Sequence, residues 1–320
     1  MKPCLYRLLA LPLLVLAASS CVKTLVVLPD SEDWDIVLNA AFNTDEGNQT
    51  VFLSRAAGME TAPLKGARVT CRVGGMSYIA AEEEDDEAYR QYYAASYVLH
   101  MPTLSPGDEI TVTAECEGKR ASATVTVPIP GDITQFRALP LLKNIWFTAR
   151  LTDPGEGEDY FQLEGWWERE WQEEQEDGET ATHLYRDPIW LNVRGDAVLS
   201  EGRPSGDGDS IVDDVLDGLY GDDRVLFSDS RFSSGKASVR FSTELDEFYT
   251  GSGEKPRRAF FRLTTYTPEH YRYMKAVSAS DILDTPELLM FIEPVSIPVN
   301  VSGGLGFVSA CSWKEISVEL

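Results

Sequence analysis

Cys21 is the residue whose surroundings prescribe a reaction. It ends the run Leu14-Val15-Leu16-Ala17-Ala18-Ser19-Ser20-Cys21, behind Lys2, Arg7 and an apolar stretch from Leu8 to Ala18. A basic start, a short greasy segment, small residues and then cysteine form the layout of a bacterial lipoprotein signal. In that chemistry the peptide is cut before the cysteine and the thiol is acylated. The apolar stretch is about eleven residues long, whereas a spanning helix needs roughly twenty to cross about 30 Å at 1.5 Å per residue. Residues 1–20 therefore read as a signal peptide, with an ordinary secretory signal cut near Ser20 as the alternative. The mature chain is expected to be a body held to a membrane by acyl chains on Cys21, and multiple chains make such attachment stable.

A second set of residues suits ligand contact. Trp166, Trp167, Trp171 and Trp190 are interleaved with Glu164, Glu168 and Glu170. Tryptophan faces stack on sugar rings or cations, and carboxylates accept hydrogen bonds from hydroxyls. By period two, Phe161, Leu163, Trp167 and Trp171 share one face of a strand, while Tyr160, Glu164 and Trp166 share the other. The first face reads as core. Trp166, Glu164 and Trp190 are left as the candidate ligand contacts.

Asp207, Asp209, Asp213, Asp214, Asp217, Asp222 and Asp223 could offer oxygens to calcium, but their spacing departs from the EF-hand loop. A solvated acidic loop is the plainer reading, and no metal ligand is assigned. Within that loop Asp209-Ser210-Ile211 fits a short O-glycosylation pattern at Ser210. Cys71 and Cys116 fall in alternating, strand-like segments of a chain bound for an oxidising compartment. A Cys71–Cys116 bridge between neighbouring strands and two buried free thiols are the two readings left open. Cys311 is then the odd, buried one.

Several chemistries are missing from the sequence. The three histidines, His100, His183 and His270, form no HExxH pattern. There is no G-x-S-x-G elbow, no P-loop, no dinucleotide fingerprint and no CxxC. No enzymatic activity and no cofactor are expected. The formal net charge of -24 argues against nucleic acid as a partner, which needs basic surface.

The elements that must position these residues are mostly strands. The chain is 43% hydrophobic, enough for substantial cores over 320 residues. Trp34–Ala40, Gln49–Ser54, Ala67–Val73, Ile110–Cys116 and Ser122–Val127 alternate like the strands of a β-sandwich. The acidic run within Ala80–Tyr97 reads as a solvated loop, and Pro128-Ile129-Pro130-Gly131 as a boundary. Strands are expected again at Asn144–Leu151, Tyr160–Trp171, Pro188–Val193, Arg224–Phe227, Ala237–Ser242 and Ala259–Tyr266. One helix is predicted over Pro268–Ala279, with Thr267 as its cap and Pro268 at its first position. The expected architecture is all-β for the most part, with domains at 21–131 and 132–320. The first is a β-sandwich. The second is a larger β-rich sandwich or barrel-like unit with one short helix.

Ordered motifs in the chain resemble a known family. They are Thr152-Asp153-Pro154 with Glu158-Asp159-Tyr160-Phe161, then Leu226-Phe227-Ser228-Asp229-Ser230-Arg231-Phe232 with Gly235-Lys236. Tyr271-Arg272-Tyr273 follows, then Glu293-Pro294-Val295, and Asn300-Val301-Ser302-Gly303-Gly304-Leu305-Gly306-Phe307. Pro63-Leu64-Lys65-Gly66-Ala67-Arg68-Val69 and Leu104-Ser105-Pro106-Gly107-Asp108 extend the likeness into the first half. Together they resemble the family called domain of unknown function 4249, from Bacteroides-type bacteria. The resemblance implies an outer-membrane lipoprotein whose first domain is an immunoglobulin- or transthyretin-like sandwich, non-enzymatic, acting as an accessory subunit to a TonB-dependent receptor in nutrient binding or uptake. A structural or adhesive envelope lipoprotein is the rival, and a cryptic glycan-acting enzyme the third reading. The shared glycines at 303, 304 and 306 read as structural. Val22-Lys23-Thr24-Leu25 lacks the acidic cluster that follows the lipidated cysteine in many surface-exposed lipoproteins of these bacteria, so surface-facing and periplasm-facing orientations both stay open.

Overall fold

Period-two alternation places apolar side chains on one face of most strands, and the fold is the result of pairing those faces. A computed structural model describes residues 34–45, 47–57, 60–84, 93–141, 144–155, 157–174, 180–201, 224–244, 258–283 and 297–319. Cys21, Ser210 and the Asp207–Asp223 run lie outside the described residues.

The strands of the first half are β1 (Asp35–Asn43), β2 (Asn48–Ala57), β3 (Glu60–Pro63), β4 (Arg68–Val73), β5 (Met76–Ile79), β6 (Ala81–Glu83), β7 (Ala95–His100), β8 (Glu109–Cys116) and β9 (Lys119–Thr126). Those of the second half are β10 (Asp132–Leu141), β11 (Asn144–Thr152), β12 (Tyr160–Glu174), β13 (Thr180–Pro188), β14 (Arg224–Ser228), β15 (Lys236–Glu244), β16 (Arg258–Tyr266) and β17 (Val308–Glu319), with helix α1 (Pro268–Leu283) before the last. The chain is mostly β and sandwich-like, and among the described residues no sheet closes into a barrel.

One long sheet runs β13-β12-β16-β17-β1-β2-β7-β6, with β14 also on β12 and β3 on β2. Two smaller sheets, β5-β4-β8-β9 and β10-β11-β15, complete the strands. The inner faces build two cores. Ile36, Leu38, Phe42, Val69 and Val112 lie in the first, and Phe147, Phe161, Trp167, Phe241 and Phe261 in the second.

β17 joins the two. Its start pairs parallel to β1 and supplies Val308 and Ala310 to the first core. Its remainder pairs antiparallel to β16, and Ile316 and Val318 pack on the second core.

The Gly-rich segment before β17 closes the first sandwich. Leu305 N–H donates to Ile36 O (2.8 Å) and Leu38 N–H to Leu305 O (2.9 Å), while Ser302 and Ser122 exchange backbone hydrogen bonds across to β9. Asn300 holds the backbone of Val308 through both ends of its amide. A Cβ on Gly304 would stand 2.4 Å from Ile36 O, and one on Gly306 2.3 Å from Leu38 O. Close backbone approach is thus the reason for these glycines.

Several expectations change. The Cys71–Cys116 bridge is not formed, and both thiols are free. The two strands are neighbours, but Cys71 stands opposite Val112, four residues from Cys116. That offset is about 13 Å along a strand, beyond the roughly 7 Å limit between Cα atoms of a disulfide. A reducing agent is therefore expected to leave the melting temperature unchanged.

The described part of the acidic segment includes a strand, and residues 85–92 lie outside the described residues. Glu82 sits in edge strand β6, where its carboxylate accepts from Gly66 N–H (2.7 Å) and from the Tyr97 hydroxyl (3.2 Å). The expected strand at Pro188–Val193 is displaced: β13 precedes it, at Thr180–Pro188. Ile189 and Leu191 instead enter the second core, while Asn192 bridges to Ser242 of β15. Helix α1 runs four residues beyond expectation, and Thr267 caps it as predicted, its Oγ1 accepting from His270 N–H (3.3 Å).

Candidate functional site

The outer face of the β10-β11-β15 sheet is where the chain presents basic and aromatic side chains together. Register aligns them in rows. Arg137, Thr148 and Arg240 form one, Leu139, Trp146 and Ser242 the next, and Leu141, Asn144 and Glu244 a third. On the other side of the arginine row, Thr134, Arg150 and Ser238 form a fourth. The Arg240 guanidinium lies over the Trp146 ring, 4.7 Å from its centroid. Leu139 and Leu141 remain 62% and 52% exposed beside it. These residues line a cavity of about 700 Å³ with Arg137, Ala138, Asn144 and Thr148.

A β-bulge creates this face. The β10–β11 register shifts between Thr134 and Arg137, and Gln135 takes φ 52°. Ile133 and Phe136 both turn to the core although they are three residues apart. The extra residue resets the alternation, so that Arg137, Leu139 and Leu141 point outward. Bulges are a common device for re-aiming side chains beside functional sites.

The candidates Trp166 and Glu164 lie on a different surface, the outer face of the long sheet. Glu164, Arg262 and Glu315 align across β12, β16 and β17. Arg262 stacks over both Trp166 (5.0 Å) and Trp313 (4.6 Å) and bonds to Glu315 (3.0 Å). Arg186 engages both oxygens of Glu315. Burial pushes the Glu315 carboxyl up, but hydrogen bonds from Arg186 and Arg262 outweigh it and leave the pKa below its usual value. Trp166 is thus one member of a charge-and-ring lattice. Trp190 lies beyond β13, 52% exposed, and does not share that lattice. Trp167 is core, as its parity implies, while the side chain of Trp171 lies outside the described residues.

A third constellation joins Asp153, Asp159 and Asp229, each with a carboxylate oxygen within 4.8 Å of the others. The turn after β11 holds Asp153, Asp159 immediately precedes β12, and a short 3-10 turn after β14 holds Asp229. Oxygen donors at this separation could hold a hard cation such as calcium. Burial, and then the neighbouring Asp153 and Asp229, raise the pKa of Asp159 to about 7. Asp229 is shifted upward too, first by burial.

The folded state therefore keeps a proton on Asp159 that the unfolded state loses near the ordinary aspartate value of 3.8. This contribution to stability is fully present below that value and is lost as pH rises through about 7. Asp159→Asn is expected to raise the melting temperature by a few degrees above pH 7 and to leave it unchanged at pH 3.5, as a pair of thermal melts would show.

Sequence reading missed both the bulged face and this trio. Two of the motifs that carried the family resemblance, Thr152-Asp153-Pro154 and Ser228-Asp229-Ser230, converge here, and that was the available signal.

His270 is buried against Tyr266 and Phe307, and burial lowers its pKa to about 4. It acts as a neutral packing group between α1 and the Gly-rich segment.

Residues 24–317 match the family described as domain of unknown function (DUF4249). The chain belongs to this family. No curated protein matches it. Among solved structures, a DUF4785 family protein from Legionella pneumophila is 8% identical, with TM-score 0.23, covering 70% of this chain and 49% of that one. The DUF4249 chain thus spans about half the length of the Legionella protein. A Bacteroides uniformis protein proposed to bind carbohydrate is 9% identical, with TM-score 0.21, covering 72% of this chain and 88% of its own.

Proposed function

We propose that this DUF4249 protein is a non-enzymatic binding lipoprotein of the outer membrane, serving a TonB-dependent receptor in the capture or delivery of a nutrient. The observation that carries the binding role is the bulged face of the β10-β11-β15 sheet. Its cavity of about 700 Å³ combines an aromatic ring, two guanidinium groups and exposed leucines. Ligand sites of 300–1,000 Å³ that mix apolar walls with a few polar groups are the usual form. The signal ending at Cys21 supports the anchor, and among the described residues no helix is long and apolar enough to cross a membrane.

Metabolic labelling with a radioactive fatty acid tests the anchor. Label incorporated by the wild type and lost in Cys21→Ala, with the wild type fractionating in the outer membrane, is the expected result. Equal labelling of both chains would remove Cys21 as the anchor. Partnership with a receptor predicts that the two are recovered together from mild detergent.

A further inference from the structure

The chain carries a formal net charge of -24, yet one face gathers basic groups. By register, Arg137, Arg150, Arg240 and Lys236 lie on the outer side of the three-stranded sheet, with Asp132 and Glu244 at its two ends. Six arginines on other surfaces, Arg55, Arg120, Arg186, Arg258, Arg262 and Arg272, each meet a carboxylate within 4.0 Å. Among the described residues Arg137, Arg150 and Arg240 meet none. Asp196 approaches Arg240, but its oxygens accept backbone N–H groups, from Val198, Leu199 and Arg240 itself.

We infer that this face binds an organic anion, a carboxylate, sulfate or phosphate carried on a ring. The Arg240 guanidinium is placed over the Trp146 ring, 4.7 Å from its centroid, and with no carboxylate bound its donors are available for a bidentate oxyanion contact. Arg137 stands across Thr148 from it, about 10 Å away at the ordinary strand spacing. A ring fits between them. Thr148 lies beneath it, Trp146 and Leu139 in the next row offer an apolar wall, and Asn144 beyond them a polar contact. The bulge at Gln135 supplies a reason for the arrangement, because it is what brings Arg137 and Leu139 to the same side as Trp146.

Acidic sugars and aromatic acids share this chemistry. Calorimetric titration of the full chain in detergent with a glucuronate-terminated disaccharide and with naphthalene-2-sulfonate separates them. The neutral disaccharide and 2-naphthol are the matched controls. One anion at least is expected to bind, about tenfold or more tighter than its neutral counterpart and more weakly as salt rises. The Arg137→Gln/Arg240→Gln pair should weaken it by about tenfold or more without lowering the melting temperature. If the pair does destabilise the fold, Arg137→Gln alone, at an exposed position that lines the cavity, carries the same test.

The inference is overturned if neither anion binds, if the neutral compound binds as well, or if the folded variants bind like wild type. It rests on the binding role proposed above, and the two can fail separately. An anion bound with no receptor recovered ends the receptor partnership alone. A receptor recovered with a face indifferent to anions ends the present inference alone.

Discussion

Gly306→Ala is expected to destabilise the protein by about 2–5 kcal/mol, read as a lower urea midpoint at unchanged slope. Two effects add at this position. Its φ is +104°, a region that L side chains rarely adopt, and the new Cβ would stand 2.3 Å from Leu38 O and 2.9 Å from Asn39 Oδ1. Both neighbours are committed. Leu38 lies in the first core, and Asn39 Oδ1 accepts from Phe307 N–H (2.9 Å). Relief would require pulling the segment off β1, breaking the Leu38–Leu305 bond that closes the sandwich. Gly75→Ala is the control. Gly75 also has positive φ (+82°), but nothing lies within 4 Å of its Cβ position. It should cost only about 1–2 kcal/mol. Equal losses at the two sites would mean that backbone conformation alone, and not close approach, is what the Gly-rich motif serves.

Phe147→Ala is expected to cost about 3–5 kcal/mol, the range for removing a fully buried large aromatic. The ring lies beneath the proposed groove, between Phe261 (4.8 Å), Phe241 (5.4 Å), Phe136 (5.7 Å) and Trp167 (6.3 Å). It therefore meets four strands, β10, β12, β15 and β16, on both sides of the second sandwich, and its loss leaves a cavity that strands on both sheets cannot easily fill. Leu139→Ala, on the strand next door but facing out, should change stability by no more than about 0.5 kcal/mol. The contrast between the two tests which side of the sheet is core. A large stability loss at Leu139 would mean that the groove is covered in the folded protein.

What could be read in the sequence was whatever rests on strict local spacing. The parity of Tyr160 to Trp167 separated Trp167 from Trp166 correctly. Gly165 breaks the apolar run only because Phe261 fills its place, 2.6 Å from where a Cβ would be. The Thr267-Pro268 start announced α1, and the Asn-x-x-Gly-Gly-Leu-Gly-Phe run announced a close backbone passage.

Features set by register were hidden. In β10 the bulge puts Ile133 and Phe136 on one side, which spoils period two, and no strand was read there. β13 is polar for most of its length and is ordered by pairing with β12. Cys71 and Cys116 looked like partners because both strands alternate, but alternation says nothing of a four-residue offset. The carboxylate trio joins the neighbouring Asp153 and Asp159 to the distant Asp229, and the groove comes from three strands whose alignment no single segment encodes.

The measurement that tests the account most directly is co-purification from outer membranes in mild detergent, with the protein tagged after Leu320 and Cys21→Ala alongside. The account predicts that a TonB-dependent receptor is recovered with the wild type and lost when the anchor is lost. Recovery of the lipoprotein alone, under conditions that preserve other receptor complexes, would contradict it and leave a free-standing structural or adhesive envelope protein in its place.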